Sequence, residues 1–398
     1  MKVAHIVRRF SFTEWGGTES VVWHVARQQQ AQGLTPEILC TSALDKAGTE
    51  VVEGITIRRL PYFYPYWPMP AKDKVALDKK GGNPFAPELL RELKKGQYDI
   101  FHLHAGGRIA QYAMRLAQKL AVPTLMSLHG GSCAIPQQEM ALMLQPLKHK
   151  FSYGGIIDRL CRARFAPESR ADVLLALSKE EVEKLQMRYP NQRVELFPNG
   201  ILQRDLPAAD GFRQKYDIPE DKKLLLCISR IDYQKNQKIL LELLQNHPET
   251  HLLLIGPVTA RWYCDELLAE AKNCGIRERL TLIPGLPPDS TELLQALKTA
   301  DCFILPSRHE PFGIAALEAL DAGLPLIASA VGGLKDFLID GENALLFADN
   351  NAEELLKAYE KLDGVKDKLI DGGRATAQSY NWQSIAARLT AIYRELLK

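Results

Sequence analysis

Phe303-Ile-Leu-Pro-Ser-Arg-His-Glu-Pro-Phe-Gly-Ile-Ala-Ala-Leu-Glu-Ala-Leu320 reads, residue by residue, as a strand, a loop and a helix. Phe303–Pro306 is a short apolar run of the kind found in a strand buried on both faces. Pro311 and Gly313 punctuate a turn, and a helix starts just after them. Glu310 then sits in the loop, and Glu318 projects from the helix two turns along. Ile314–Leu320 is otherwise apolar, so a carboxylate at position 318 costs free energy unless it is paired or holds something.

The same alternation extends outward in both directions. Towards the C-terminus, residues 325–329 and 344–347 are strand-like. Towards the N-terminus, so are residues 224–229, 251–256 and 281–284. An earlier series comprises residues 2–7, 36–40, 55–60, 100–104, 124–129, 173–178 and 194–198, with helical stretches such as 20–32 and 109–120 between them. Buried strands alternating with helices imply parallel sheets joined by right-handed crossovers. Two series imply an α/β protein of two Rossmann-like, doubly wound domains with an inter-domain cleft. The first series closes at Ile201–Pro207, which places the boundary between residues 1–205 and 206–380.

The chain has 398 residues, 46% hydrophobic and 25% charged, which excludes a disordered, fibrous or disulfide-stapled protein. Its net charge of +2 gives no field favouring nucleic acid. Residues 1–205 hold 28 basic against 20 acidic side chains, net +8, and the remainder is net −6. That asymmetry points the first half towards something anionic, although a chance imbalance looks the same. No apolar run reaches a membrane span or a signal peptide core, so the expected location is cytoplasmic. The seven cysteines show no Cys-x-x-Cys spacing, and neither a zinc site nor a disulfide framework is expected.

In open parallel sheets, ligands bind beyond the carboxyl ends of strands. Gly16-Gly17 follows the first strand and opens a helix, where backbone N–H groups can face an anion. The spacing fits neither a Walker A loop nor Gly-x-Gly-x-x-Gly. His102 and His104 flank Leu103 on one face of a strand, without a third metal ligand nearby in sequence. His129 ends a strand beside Gly130-Gly131. Arg230 and Lys235 follow one strand, and two cations there suit a diphosphate. Tyr62–Pro70 holds five aromatics and three prolines. It is expected to be an ordered loop that either folds its own rings away or offers Tyr66 and Trp67 to an acceptor. The basic stretch 141–170, with Arg162 and Arg164, suits anionic lipid heads or a phosphorylated glycan.

Taken together, these residues resemble glycosyltransferase family 4, retaining enzymes of the GT-B fold. Pro306–Leu320 is similar to that family's Glu-x7-Glu motif, and Ser229–Asn236 to its Arg-x4-Lys loop, with Ser-Arg and Lys-Asn where Gly-Arg and Lys-Gly are usual. Gly16-Gly17, Asp99–His104, Ser127–Gly130, Phe197–Ile201, Asp321–Pro325, Val331–Asp336 and Asn381-Trp382 continue the match in order. The resemblance implies that residues 1–205 bind the acceptor and 206–380 the nucleotide-sugar donor. It also implies that a C-terminal helix, 381–398, crosses back to the first domain.

By position, the resemblance implies a role for each matched residue. Gly16 and Gly17 offer N–H groups to the diphosphate, and Arg230 and Lys235 neutralise the leaving group. Glu318 binds the ribose, and Glu310 the donor sugar, with N–H groups near Phe312 and Gly313. His129 lies over the sugar, and Gly285 and Leu286 meet the base. His104, Tyr66, Trp67, Arg162 and Arg164 stand on the acceptor side. No metal and no cofactor is expected. The donor is a UDP-sugar ahead of a GDP-sugar, and the acceptor a glycan or lipid-linked hydroxyl, with peripheral contact at an anionic membrane. Two alternatives remain open: a nucleotide-sugar epimerase of the same fold, or a non-catalytic nucleotide-sugar-binding subunit.

Overall fold

The computed structural model describes residues 1–13, 16–129, 145–287 and 290–398, so Cys133 lies outside it. The chain divides into two compact units, Met1–Asn199 with Trp382–Lys398, and Gly200–Asn381.

The first unit holds β1 (Lys2–Arg9), β2 (Thr35–Thr41), β3 (Gly48–Val52), β4 (Ile55–Leu60) and β5 (Tyr66–Trp67). It continues with β6 (Ile100–Leu103), β7 (Thr124–Leu128), β8 (Phe151–Ser152), β9 (Val173–Ala176) and β10 (Arg193–Leu196). Eight of these form one sheet in the order β10-β9-β7-β6-β1-β2-β4-β3. Every pairing in it is parallel except β3 with β4, which is an antiparallel edge hairpin. The chain winds from β1 outward through β2, then returns to β6 on the other side of β1. That reversal is the point at which strand ends diverge and leave a crevice.

In the second unit, β11 (Lys223–Ile228), β12 (Thr250–Ile255), β13 (Leu280–Ile283), β14 (Cys302–Leu305), β15 (Leu326–Ser329) and β16 (Leu345–Phe347) form an all-parallel sheet. Its order, β13-β12-β11-β14-β15-β16, reverses between β11 and β14. Leu225, Leu252, Leu254, Ile304 and Ile327 are buried in the core beneath the helices. Strands covered on both faces read as unbroken apolar runs, which is why sequence alone located them.

The unit boundaries fall at 199/200 and 381/382, rather than at 205/206 and 380/381. Ile201 bridges Asn381 and donates its N–H to the Tyr380 carbonyl at 2.7 Å, while Arg204 bonds Glu318 and Asp321. These contacts tie 200–205 to the second unit. The helix Trp382–Leu396 belongs to the first: Trp382 stacks on His24 at 5.5 Å, and Thr390 donates to Gln32 at 2.7 Å. The aromatic stretch 62–70 is not all loop. Tyr66 and Trp67 pair antiparallel with Ser152 and Phe151, and Tyr62 and Tyr64 both donate to Asp78, at 2.6 and 2.8 Å.

Tyr393 is fully buried and its hydroxyl bonds Gln29 and His102. Tyr393→Ala should therefore destabilise the first unit by about 3–5 kcal/mol in urea unfolding. A loss below about 1 kcal/mol would mean that the last helix is not part of that core.

Candidate active site

In the second unit, the loops after β11 and β14 meet at the winding reversal. The loop after β11 is held by Asp232. Its Oδ1 accepts the backbone N–H groups of Gln234 and Lys235, and its Oδ2 accepts from Thr259 and pairs with Arg230 at 3.1 Å. Gln237 donates to Ser229 Oγ and to the Arg230 carbonyl. Arg308 donates its backbone N–H to the Gln234 carbonyl at 2.7 Å, joining the two loops.

Lys235 Nζ lies 2.5 Å from Glu310 Oε2, and both side chains are largely buried. Ser307 donates to the same carboxylate at 3.4 Å. The pairing compensates two charges that would be costly to bury alone. Arg230 stays about half exposed, with a guanidinium fork that can turn towards an anion.

Glu318 accepts from Arg204 Nη1 at 3.0 Å, and Asp321 accepts the Arg204 backbone N–H. That pair explains how a carboxylate is tolerated on an apolar helix. Gly313 caps the helix Ile314–Asp321 with φ +103, a left-handed conformation that a side chain resists. Phe312 is buried against Phe337 and Tyr380. Gly332 lies against the Glu310 carbonyl, where an added Cβ would stand 2.2 Å from the oxygen, and Gly333 donates its N–H to the same atom. The loop carrying Glu310 thus rests on a two-glycine platform after β15. Gly285 and half-buried Leu286 follow β13.

In the first unit, Gly16 precedes the helix Gly17–Ala31. Buried Glu19 reaches back to it: an added Cβ on Gly16 would stand 3.0 Å from Glu19 Oε2, whereas Gly17 is open. Arg9 pairs with Glu19 at 3.2 Å. His5 within β1, His102 within β6, and His104 and His129 just after β6 and β7 bring four imidazoles together. His5 Nδ1 lies 3.0 Å from His104 Nε2, and His104 Nδ1 lies 3.1 Å from His129 Nε2. His104 is buried with both ring nitrogens bonded, so it stands behind His129 rather than meeting an acceptor itself.

Burial pushes His5 and His129 down to about 4, and holds His102 and His104 well below the usual imidazole range, so all four rings are neutral at pH 7. One nitrogen from each of His5, His102 and His104 lies within 4.8 Å of the others, a spacing open to a metal ion. Every ring nitrogen of these three is already hydrogen-bonded, however, and a cation would have to displace those bonds.

Tyr66, Trp67, Arg162 and Arg164 lie apart from these histidines in sequence, and Trp67, Arg162 and Arg164 are exposed. Trp67 faces Phe151 across the β5–β8 ladder, and Arg164 donates to the Gly155 carbonyl at 2.6 Å. Sequence reasoning missed Arg204, Asp232, Gly332 and Gly333 in the second unit. It also missed His5, Gln29, Ser127 and Tyr393 in the first. Only His5 left a local signal, a histidine in an apolar strand.

Two family models match the chain in succession. "Glycosyltransferase Family 4" covers residues 15–202 and "Glycosyl transferases group 1" covers 209–392. The chain belongs to glycosyltransferase family 4. It is 26% identical to a D-inositol 3-phosphate glycosyltransferase of Xylanimonas cellulosilytica, over 96% of this chain and 92% of that one. In fold it resembles a sucrose-phosphate synthase from Thermosynechococcus elongatus, with a TM-score of 0.72 at 20% identity, covering 100% and 99% of the two chains. It also resembles Anabaena HepE in complex with UDP and glucose, with a TM-score of 0.71 at 16% identity, covering 99% and 100%. The fold is GT-B.

The neutral histidines make stability depend on pH. Unfolded histidine titrates near 6.5 and the folded His5 and His129 near 4, so between these values the unfolded chain binds more protons. Stability is therefore fully present above pH 6.5 and is lost as pH falls towards 4. Melting temperature should fall by several degrees between pH 7 and 4.5, and His5→Gln should flatten the slope. A slope unchanged in that variant would contradict the assignment.

Proposed function

We propose that the chain is a metal-independent, retaining hexosyltransferase using a nucleotide sugar. The Lys235–Glu310 pair, with Arg230 beside it at the β11/β14 reversal, carries this reading. Cleaving the sugar–phosphate bond places negative charge on the departing diphosphate. Arg230 and Lys235 supply the positive charge it needs, and a preorganised donor of this kind contributes about 3–4 kcal/mol. With Lys235 on the phosphate side, Glu310 accepts hydrogen bonds from sugar hydroxyls. Glu318 does the same for the ribose, with Arg204 holding its carboxylate in place. His129 is assigned contact with the transferred sugar. For retention, a donor phosphate oxygen takes the acceptor's proton as the acceptor attacks from the face the leaving group departs.

UDP is the favoured nucleotide, a reading supported by the UDP and glucose in the HepE complex. The acceptor is a hydroxyl of a glycan or lipid-linked molecule in cell-envelope polysaccharide or glycoconjugate synthesis. The relatives named for inositol 3-phosphate add a phosphorylated polyol to that class.

The deciding experiment is a thermal-shift screen with UDP, GDP, ADP and their sugar conjugates in EDTA. One nucleotide should stabilise the protein by about 2.7 kcal/mol at a hundredfold excess over its Kd. Glu318→Ala should remove most of that gain. No shift with any nucleotide would favour the non-catalytic reading. An epimer formed from donor alone would favour the epimerase.

Peripheral membrane contact at the cytoplasmic face rests on a separate observation. No described helix is long and apolar enough to cross a membrane. Phe151, Ile156 and Leu160, with Trp67 paired to Phe151, are nonetheless 60–79% exposed, and residues 151–164 also expose Arg159, Arg162 and Arg164. Apolar anchors among cations suit an anionic interface. Trp67→Ser with Leu160→Ser should abolish sedimentation with anionic vesicles, and equal recovery with neutral vesicles would sink the idea.

A further inference from the structure

Six buried side chains, Tyr393 of the last helix among them, form an unbroken line of hydrogen bonds that ends at His129. Ser127 Oγ lies 2.8 Å from His102 Nε2, and His102 Nδ1 lies 2.6 Å from the Tyr393 hydroxyl. Tyr393 lies 3.2 Å from Gln29 Nε2, and Gln29 Oε1 lies 2.8 Å from His5 Nε2. From His5 the line runs through His104 to His129.

A neutral imidazole carries one N–H and one lone pair, so in such a line the state of each ring dictates the next. Two proton orders are possible, and turning the Gln29 amide over converts one into the other. The distances separate them. O–H donors form bonds of about 2.5–3.0 Å and N–H donors bonds of about 2.7–3.2 Å. The short Tyr393–His102 contact suits a phenol donating to an imidazole nitrogen, and the long Gln29–Tyr393 contact suits an amide N–H donating to the phenol. Reversal would stretch a phenol O–H bond to 3.2 Å and compress an amide–imidazole N–H···N bond to 2.8 Å.

We infer that Gln29, by presenting its carbonyl to His5, fixes His5, His104 and His129 as the Nε2–H tautomers, so that His129 keeps its lone pair on Nδ1. Gln29, His5 and His104 are positioning residues: they act through His129. The carbonyl accepts from His5 Nε2–H, which leaves His5 Nδ1 to accept from His104 Nε2–H. His104 Nδ1 in turn accepts from His129 Nε2–H. On the other branch, Tyr393 donates to His102 Nδ1, and His102 Nε2–H donates to Ser127. The consequence for transfer rests on the reading of His129 as a sugar-facing group: at Nδ1 it accepts a hydrogen bond from a hydroxyl and cannot donate one. Burial keeps every ring neutral, so no second proton competes with this order.

The test is long-range proton–nitrogen NMR on the full chain labelled with ¹⁵N-histidine, with ring signals assigned from His104→Gln and His129→Gln. In the wild type at pH 7.5, His5, His104 and His129 should all show the Nε2–H pattern. Either His104 or His129 as Nδ1–H, or any of the three doubly protonated, overturns the inference. Gln29→Met keeps the side chain's length but removes both amide bonds. It should turn the His5, His104 and His129 signals into mixtures, and unchanged tautomers there would remove Gln29 from the assignment. Should that variant fail to fold, the wild-type spectrum alone still decides the order. In a transfer assay, Gln29→Met should lower kcat about tenfold with donor KM within about twofold, as expected when a ring acts from the wrong tautomer. A protein that transfers no sugar would still give the wild-type spectrum, so failure of the functional reading and failure of the tautomer order are separate results.

Discussion

A parallel strand buried on both faces takes a polar side chain along its length only where a hydrogen-bond partner is buried with it. Its carboxyl end is where polarity can meet a ligand, and a sheet whose winding reverses opens a crevice at that end. Both units obey this constraint. Arg230, Lys235, Ser307 and Glu310 lie beyond β11 and β14, where the second sheet reverses. Gly16 and His104 lie beyond β1 and β6, where the first reverses.

Charge in the second unit is organised around pairs. Lys235 with Glu310, Arg204 with Glu318, and Arg230 with Asp232 each balance within about one side-chain length. Opposite charges held together lower the cost of desolvating either one. On the proposed function, a diphosphate arriving at such a site would meet cations already oriented by carboxylates and by backbone-anchored loops, with little reorganisation needed as charge develops.

The first unit solves a different problem. Three neutral imidazoles, a phenol and a carboxamide are buried there, with half-buried His129 at the end of the line, and each buried group would be costly without a partner. They satisfy one another in a single line, so the cost of burial is met by hydrogen bonds rather than by charge. The price of that economy is rigidity: no ring can change its tautomer alone. The helix Trp382–Leu396 belongs to this arrangement, because Tyr393 closes the line between His102 and Gln29.

The sequence by itself determined the α/β class, the two series of strands and the motif residues Arg230, Lys235, Glu310 and Glu318. These were legible because strand burial writes apolar runs, and because loop and helix punctuation is local. The exact division at Asn199 and Asn381 was not legible, since Ile201 meets Tyr380 and Asn381 only after nearly the whole second unit has folded between them. The same holds for Arg204 beside Glu318, for Gly332 beneath Glu310, and for Gln29 between His5 and Tyr393. In each case the partner lies 22 to 364 residues away in the chain, and no local pattern encodes a distance that only packing sets. Which residues are candidates for the chemistry follows from side-chain type and spacing; which groups hold them, and in which protonation state, follows from what the tertiary structure buries beside them.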